Sequence, residues 1–169
     1  MKTAILVVAS AALVGSSIIA VAQDRASQSF LTKAIEGNYA EVQMGELAQK
    51  NGQSADVKSF GQMLQSDHAA ANEKALEVAR GLGVNAPSGP NAKQKADYEK
   101  MAKMSGPAFD KAFAQHMVAD HKKDIAEYQK EAKKQDAAGK YASDSLPVLQ
   151  KHLQTAQSLE NHSTTGSKR

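Results

Sequence analysis

The sequence predicts an all-α protein, folded as an antiparallel four-helix bundle with one short extra helix. Ala, Gln, Lys and Glu are abundant and aromatic residues make up only 5% of the chain, a composition that favours helices over strands. Apolar residues recur every three or four positions along most of the sequence, as on one face of a helix. Clusters of Gly, Pro, Asn and Ser separate these periodic stretches and mark the turns.

The N-terminal segment has the pattern of a secretory signal peptide. Lys2 is followed by residues 4–22, which carry no charge and are mostly Ala, Val, Leu and Ile. The run ends in the small-x-small sequence Ala20–Ala22, which signal peptidase accepts. We therefore expect residues 1–22 to be cleaved after Ala22 and the protein to be exported to the periplasm. An uncleaved membrane anchor is the alternative, although polar residues at 15–17 interrupt the apolar run.

The first two helices are predicted to form a hairpin. The first runs from about residue 27 to residue 49, with Ser27 or Ser29 as its N-cap, and Asn51–Gly52 end it. The second follows Ser54, a favourable N-cap, and stops near residue 82 among glycines. A link this short forces the two helices to lie antiparallel.

A longer crossing segment follows, because residues 84–91 contain two prolines, a glycine and a serine. We expect a short helix over residues 92–104. The third long helix begins after Ser105, with Pro107 in its first turn, where the missing N–H group is tolerated, and it continues to about residue 134.

The fourth long helix is predicted over residues 138–160. Pro147 lies inside it and is expected to kink it or to delay its regular part. The polar tail, residues 162–169, is predicted to be disordered. These assignments leave one domain, residues 23–161, between the signal peptide and the tail.

Several polar residues fall on the inner faces of these helices. Residues 4, 7 or 11 positions apart lie on one side of a helix, and His121, for example, lies four residues after Met117 and four before Ile125. The same rule selects six inward-facing residues: Glu41, His68, His116, Asp120, His121 and His152.

Inward-facing imidazole and carboxylate groups suggest a metal site. Helical bundles build such sites from side chains of facing helices, and these ligand types suit zinc, iron, manganese or copper. The expected ligands are Glu41, His68, His121 and His152, with Asp120 and His116 as alternates. Carboxylates next to two of the histidines, in the pairs Asp67–His68 and Asp120–His121, are candidates to orient the rings. A structural polar network, without metal, is the competing interpretation.

Other chemistry has little support in the sequence. The chain has no cysteine, which excludes disulfides, thiol chemistry and a lipid-modified cysteine. It has no glycine-rich phosphate loop, no Gly-x-Ser-x-Gly elbow and no His-Glu-x-x-His motif, so we predict no catalytic residues. The net charge of +3 is small and both signs are interspersed, which argues against a nucleic-acid partner.

Several blocks of the sequence resemble a bacterial exported family. They are Glu41–Ala48, Asp56–Leu64 with Asp67–His68, Phe109–Phe113 with Met117–Val118 and Asp120–His121, and Leu146–Pro147 with His152–Leu153. The chain resembles the domain of unknown function family 4142, whose members are labelled outer-membrane or exported proteins. The resemblance implies a ferritin-like bundle, an envelope location and no agreed activity. It also implies that the recurrent polar residues are Glu41, His68, Asp120, His121 and His152.

Two functions follow as expectations. The first is a non-enzymatic envelope protein with a structural, stress-related or partner-binding role. The second is a metal-binding ferritin-like protein, with oxidoreductase activity as an extension. The absence of a Glu-x-x-His pair, which di-iron bundles carry, argues against iron oxidation or storage. A weaker third idea is attachment to an acidic membrane surface through the lysine-rich ends of the third and fourth long helices. The sequence does not determine the oligomeric state.

Overall fold

The computed structural model of the chain describes the backbone of residues 14–165 and the side chains of residues 25–162. Within these residues every regular element is a helix, which confirms the all-α prediction. The helices are α1 (Val14–Asn51), α2 (Ala55–Gly81), α3 (Ala92–Ala102), α4 (Gly106–Glu131) and α5 (Ala137–Thr165).

Most predicted helix boundaries lie within a few residues of the observed ones. The Ser54 hydroxyl accepts a hydrogen bond from the Val57 amide at 3.2 Å, as expected of an N-cap. Ser105 occupies the N-cap position of α4 with Pro107 in the first turn, but its side chain makes no capping bond. The prediction of a serine cap for α1 was wrong, because this helix begins at Val14. Ser27 is instead buried and donates to Asp136 at 2.8 Å.

The two ends of the chain lie partly outside the described residues. The predicted signal peptide covers residues 1–13, which are outside them, and the first turns of α1, so its cleavage stays a prediction. Helix α5 continues to Thr165, into the predicted tail, and residues 166–169 are again outside the described part. Among residues 14–165 there is no helix with the length and apolar character that crossing a bilayer requires.

Two hairpins, α1–α2 and α4–α5, pack on each other. Their relative direction follows from two contacts at opposite ends. Asp110, near the start of α4, accepts hydrogen bonds from the backbone amides of Gln53 and Ser54 in the α1–α2 link. Ser27, near the other end of α1, bonds Asp136 in the α4–α5 link. Helix α1 therefore lies antiparallel to α4, and α2 lies antiparallel to α5.

Helices α1 and α2 cross closely at a pair of glycines. A Cβ atom added to Gly45 would lie 2.5 Å from the carbonyl oxygen of Gly61, and one added to Gly61 would lie 2.6 Å from that of Gly45. Both distances are too short for any side chain. The absence of a side chain at both positions sets how closely α1 approaches α2.

Helix α3 bridges the two hairpins on the outside of α1. Its N-cap Asn91 forms a capping box with Gln94. The side-chain amide of Asn91 also donates to a carboxylate oxygen of Glu36 in α1, at 3.1 Å. At the other end, the Asn51 side chain donates to the Met104 carbonyl at 2.8 Å. The predicted separate helix in the crossing segment is therefore present and is fixed at both ends.

Pro147 does not delay α5, which begins at Ala137 and runs through the proline to Thr165. The missing N–H group leaves the carbonyl of Ser143 without its helical partner. Ser143 is exposed, so water can hydrate that carbonyl. The helix tolerates the proline because the lost bond is on its solvent side.

The core consists of two apolar clusters with a polar layer between them. One cluster contains Phe60, Phe113 and Met117, and the other contains Phe30 and Leu149 among its buried members. The buried polar residues include three of the chain's five histidines, and one of these, His152, contacts Phe60 of the first cluster.

Candidate metal centre

Three buried histidines from three helices meet in the polar layer. His68 of α2, His121 of α4 and His152 of α5 are 5%, 1% and 0% exposed. Their ring centroids lie 5.3–5.8 Å apart, a nearly equilateral triangle. One nitrogen of each ring lies within 4.8 Å of the corresponding nitrogens of the other two. Among the described residues this is the one group of three or more potential ligands that meets that distance.

Each ring is oriented by an oxygen atom outside the triangle. The Nδ1 atom of His68 lies 3.0 Å from Oδ1 of Asn38, and Nδ1 of His121 lies 3.0 Å from the Met117 carbonyl oxygen. The Nε2 atom of His152 lies 2.9 Å from a carboxylate oxygen of Asp67. These oxygens only accept, so the ring nitrogen facing each of them carries the hydrogen.

The inner nitrogens of the three neutral rings therefore hold lone pairs. A neutral imidazole has one N–H group and one acceptor nitrogen. The Nε2 atom of His121 and the Nδ1 atom of His152 lie 3.3 Å apart with no hydrogen between them, although the distance is that of a hydrogen bond. The Nε2 atom of His68 is buried and has no partner. Three acceptors thus converge without a donor.

Burial keeps the three rings neutral. Desolvation lowers the pKa of His121 to about 4, with the neighbouring His152 as the second cause. Desolvation also lowers the pKa of His68 well below its ordinary value, and both other histidines lower it further. For His152, burial lowers the pKa more than the hydrogen bond to Asp67 raises it. At neutral pH the contact between His152 and Asp67 is therefore a hydrogen bond rather than an ion pair.

The arrangement has two features that are usual for histidines bound to a metal ion. Imidazole nitrogens bind Zn²⁺ at about 2.0–2.1 Å, so two of them in a tetrahedral site lie about 3.4 Å apart. The observed 3.3 Å between His121 and His152 agrees with that spacing. Each ring also donates its outer N–H group to an oxygen, as metal-bound histidines commonly do.

The other residues selected from the sequence lie apart from the three histidines. Glu41 is 3% exposed, and it lines a cavity with Asp120 rather than joining the histidine group. His116 is half-buried and lines the same small cavity as Glu41 and Asp120. The six selected residues therefore divide into a histidine cluster and a carboxylate cluster.

The partners expected for two of the rings were wrong. Asp67 does not bond its neighbour His68 but reaches His152 on another helix. Asp120 likewise is not a hydrogen-bond partner of His121, whose Nδ1 bonds a backbone carbonyl. Consecutive residues on a helix point about 100° apart, so a carboxylate seldom reaches the ring beside it and contacts the next helix instead.

The sequence argument also missed Asn38, which orients His68. Asn38 is 4% exposed, lies seven residues after Leu31 on the inner face of α1, and was detectable by the spacing rule used for Glu41. Its amide group donates to the hydroxyl of Tyr141 at 3.2 Å, which fixes the amide oxygen toward His68. The hydroxyl of Tyr141 lies 3.4 Å from that of Tyr128.

A cavity of about 480 Å³ reaches the cluster from between α2 and α5. Asn38, Asp67, His68 and Tyr141 form part of its lining, together with apolar residues such as Leu149. Neither His121 nor His152 lines it. Solvent and small molecules therefore approach the cluster on the side of His68.

Comparison with known proteins identifies the family. A sequence model described as Domain of unknown function (DUF4142) matches residues 17–159. The chain belongs to this family. The match confirms the resemblance stated above, and it covers the residues of both polar clusters. Searches among curated proteins and among solved structures give no significant match.

Proposed function

We propose that this protein binds one divalent transition-metal ion through His68, His121 and His152. The observation that carries the proposal is the convergence of three neutral, buried imidazoles whose outer nitrogens all donate to oxygen atoms. Zinc is the first candidate, because three histidines suit tetrahedral Zn²⁺ with a water molecule in the fourth position. Copper, iron and manganese also accept imidazole ligands.

The alternative of a purely structural network fits the hydrogen bonding less well. A network that holds a fold in register satisfies its buried donors and acceptors with one another. Here the acceptor nitrogens of His121 and His152 face each other, and Nε2 of His68 has no partner. Leaving such acceptors unsatisfied costs about 1–3 kcal/mol each, whereas metal coordination would satisfy all three.

Metal uptake by purified protein tests this proposal. The protein, prepared without a polyhistidine tag and stripped of metal, is titrated with Co²⁺ and followed by its visible absorption bands, and then with Zn²⁺ in competition. We expect one equivalent of either ion to bind. His68→Gln should abolish the cobalt bands, and His162→Gln, which changes an exposed histidine of α5, should not.

The result that would overturn the proposal is equally direct. Absence of cobalt bands in the unaltered protein, with no rise in unfolding temperature on adding Zn²⁺, would leave the three histidines as a structural network. The non-enzymatic structural or partner-binding role would then be the better reading. Metal binding alone assigns no reaction, so the proposal is compatible with a protein that is not an enzyme.

We also propose that the fold is a ferritin-like four-helix bundle acting in the cell envelope. Two hairpins joined by one long crossing segment support the fold, because ferritin-like bundles contain one such connection. The signal-peptide pattern of residues 1–22 supports export. The histidine cluster differs from the carboxylate-rich di-iron sites of ferritin-like proteins, so we propose no iron oxidation.

A further inference from the structure

A second polar cluster lies between α1 and α4, beneath α3. Glu41 and Asp120 line the same cavity, and both Asp120 and Asp124 are close enough to act on Glu41 electrostatically. Glu41 is 3% exposed, and its Oε2 atom is buried without any hydrogen-bond partner. A buried, unpartnered carboxylate oxygen is costly, so something that the protein side chains do not provide is expected to satisfy it.

A cavity of about 250 Å³ adjoins these carboxylates. Glu41, Asp120 and His116 line it, and side chains of α3 cover it, among them Asp97. Because a water molecule occupies about 30 Å³ in the liquid, the cavity has room for a cation together with several waters.

Two lysines, Lys93 and Lys123, also line the cavity, but neither forms an ion pair with Glu41 or Asp120. The ammonium group of Lys93 lies 2.6 Å from Asp97, and Lys123 acts on Asp124. Among the described residues, no lysine or arginine lies within ion-pair distance of Glu41 or Asp120. Burial and the two neighbouring aspartates raise the pKa of Glu41 well above its ordinary value. Either a proton or a cation can relieve the repulsion.

We propose that Glu41, Asp120 and His116 form a second cation site, which holds a hydrated divalent ion of the kind that prefers oxygen ligands, such as Mn²⁺. Such ions bind to one or two carboxylates and keep several of their waters. The site therefore does not need the close spacing of the three histidines. Two of its three residues supply carboxylate oxygen, whereas the first site supplies only imidazole nitrogen, so the two sites should prefer different metals.

Sequential loading tests the second site without relying on the first. The purified protein is saturated with Zn²⁺ and then titrated with Mn²⁺, with free Mn²⁺ measured by its electron paramagnetic resonance signal. We expect one further equivalent of Mn²⁺ to bind. The double variant Glu41→Gln/Asp120→Asn should lose it, and Glu73→Gln, which neutralises an exposed glutamate of α2, should keep it.

The two proposals fail in different ways. Mn²⁺ uptake that is unchanged in His68→Gln but lost in Glu41→Gln supports the second site even if Zn²⁺ binding is absent. Circular dichroism and the unfolding temperature of Glu41→Gln establish that this near-isosteric variant is folded. No uptake of Mn²⁺ at about 1 mM, or equal uptake by the double variant, would overturn the proposal and leave a proton shared between the two carboxylates.

Discussion

The histidine cluster and the carboxylate cluster bury polar groups in different ways. The three histidines each have an oxygen partner on the outside and an acceptor nitrogen on the inside. The carboxylates of Glu41 and Asp120 line one cavity, and among the described residues neither forms an ion pair with a lysine or arginine. An imidazole can be buried neutral at little cost, whereas a carboxylate must take up a proton or a cation. We therefore expect changes at the histidine cluster to act mainly on metal affinity. Changes at the carboxylate cluster should act mainly on how stability depends on pH.

The largest expected effect is that of removing one imidazole. His121→Gln leaves two nitrogen ligands, and we expect the affinity for Zn²⁺ to fall by more than about 100-fold, because loss of a supporting hydrogen bond alone costs about 10–100-fold. Equilibrium dialysis against competing chelators measures the change. Unaltered affinity would mean that His121 is not a ligand. Mn²⁺ uptake should persist, since His121 does not line the second cavity.

A change at the α1–α2 crossing is expected to affect stability rather than metal preference. In Gly61→Ala, the new methyl group would lie 2.6 Å from the Gly45 carbonyl oxygen, so the helices must separate. Overpacking of this kind typically costs about 1–3 kcal/mol, even though alanine favours a helix. Urea unfolding of the metal-free protein measures the loss.

Gly81→Ala is the control for that comparison, because an added Cβ there has no neighbour within 4 Å. A Gly61→Ala protein as stable as the Gly81→Ala protein would show that α1 can move away from α2 freely. In that case the glycine pair would not fix the position of Asn38 and Glu41, the two α1 residues on which the clusters depend.

The hydrogen bond between Asp67 and His152 is expected to raise the Zn²⁺ affinity of the histidine cluster. Asp67→Asn keeps the shape but replaces a carboxylate by a weaker acceptor, and we expect Zn²⁺ affinity to fall by about 10–100-fold while one equivalent still binds. Competition titrations with a chromophoric chelator give the ratio. Loss of all binding would instead identify Asp67 as a direct ligand.

The smallest expected effect concerns Glu41 and depends on pH. The pKa of Glu41 is raised on folding, so its contribution to stability is present below its ordinary value, about 4.5, and is lost as pH rises through the higher folded value. Glu41→Gln cannot ionise. We expect it to be more stable than the unaltered metal-free protein at pH 8, and the difference to grow as pH rises from about 4.5.

Urea unfolding between pH 4.5 and pH 8 measures that difference. The two proteins should converge at the acidic end, and Glu73→Gln should follow the unaltered protein throughout. A difference that is constant with pH would mean that Glu41 does not titrate in this range. The histidines act in the opposite direction, because their lowered pKa values make the folded protein less stable as pH falls from about 6.5. They are common to both proteins and cancel in the comparison.

The helices could be predicted from the sequence because their signals are local. Ser54 caps α2 through a hydrogen bond from Val57, three residues on, and Gly83 follows the end of α2 with a positive φ. Pro107 lies in the first turn of α4, where its missing N–H group needs no partner. The start of α1 was misplaced because Ser27, a good cap by composition, is used for a distant contact with Asp136. The sequence alone does not show whether a serine caps a helix or bonds a distant residue, because the distant residue is known only from the structure.

The inward positions of Glu41, His68, His121 and His152 were also predictable, since helical periodicity alone determines which side of a helix a residue occupies. All four are buried. Which of these side chains meet was not predictable, because that depends on the axial position of each helix relative to its neighbours. Asp67 reaching His152 is an example, since 85 residues separate them in the sequence.

The sequence by itself thus determined the all-α class, the family and the faces on which polar residues lie. Only the tertiary structure decided that the polar residues form two clusters, with three imidazoles at one and Glu41, Asp120 and His116 at the other. The physical reason is that the 3.6-residue period fixes direction around a helix axis, whereas the axial offset between helices comes from side-chain packing between distant segments. In this protein that packing includes the close contact of Gly45 with Gly61.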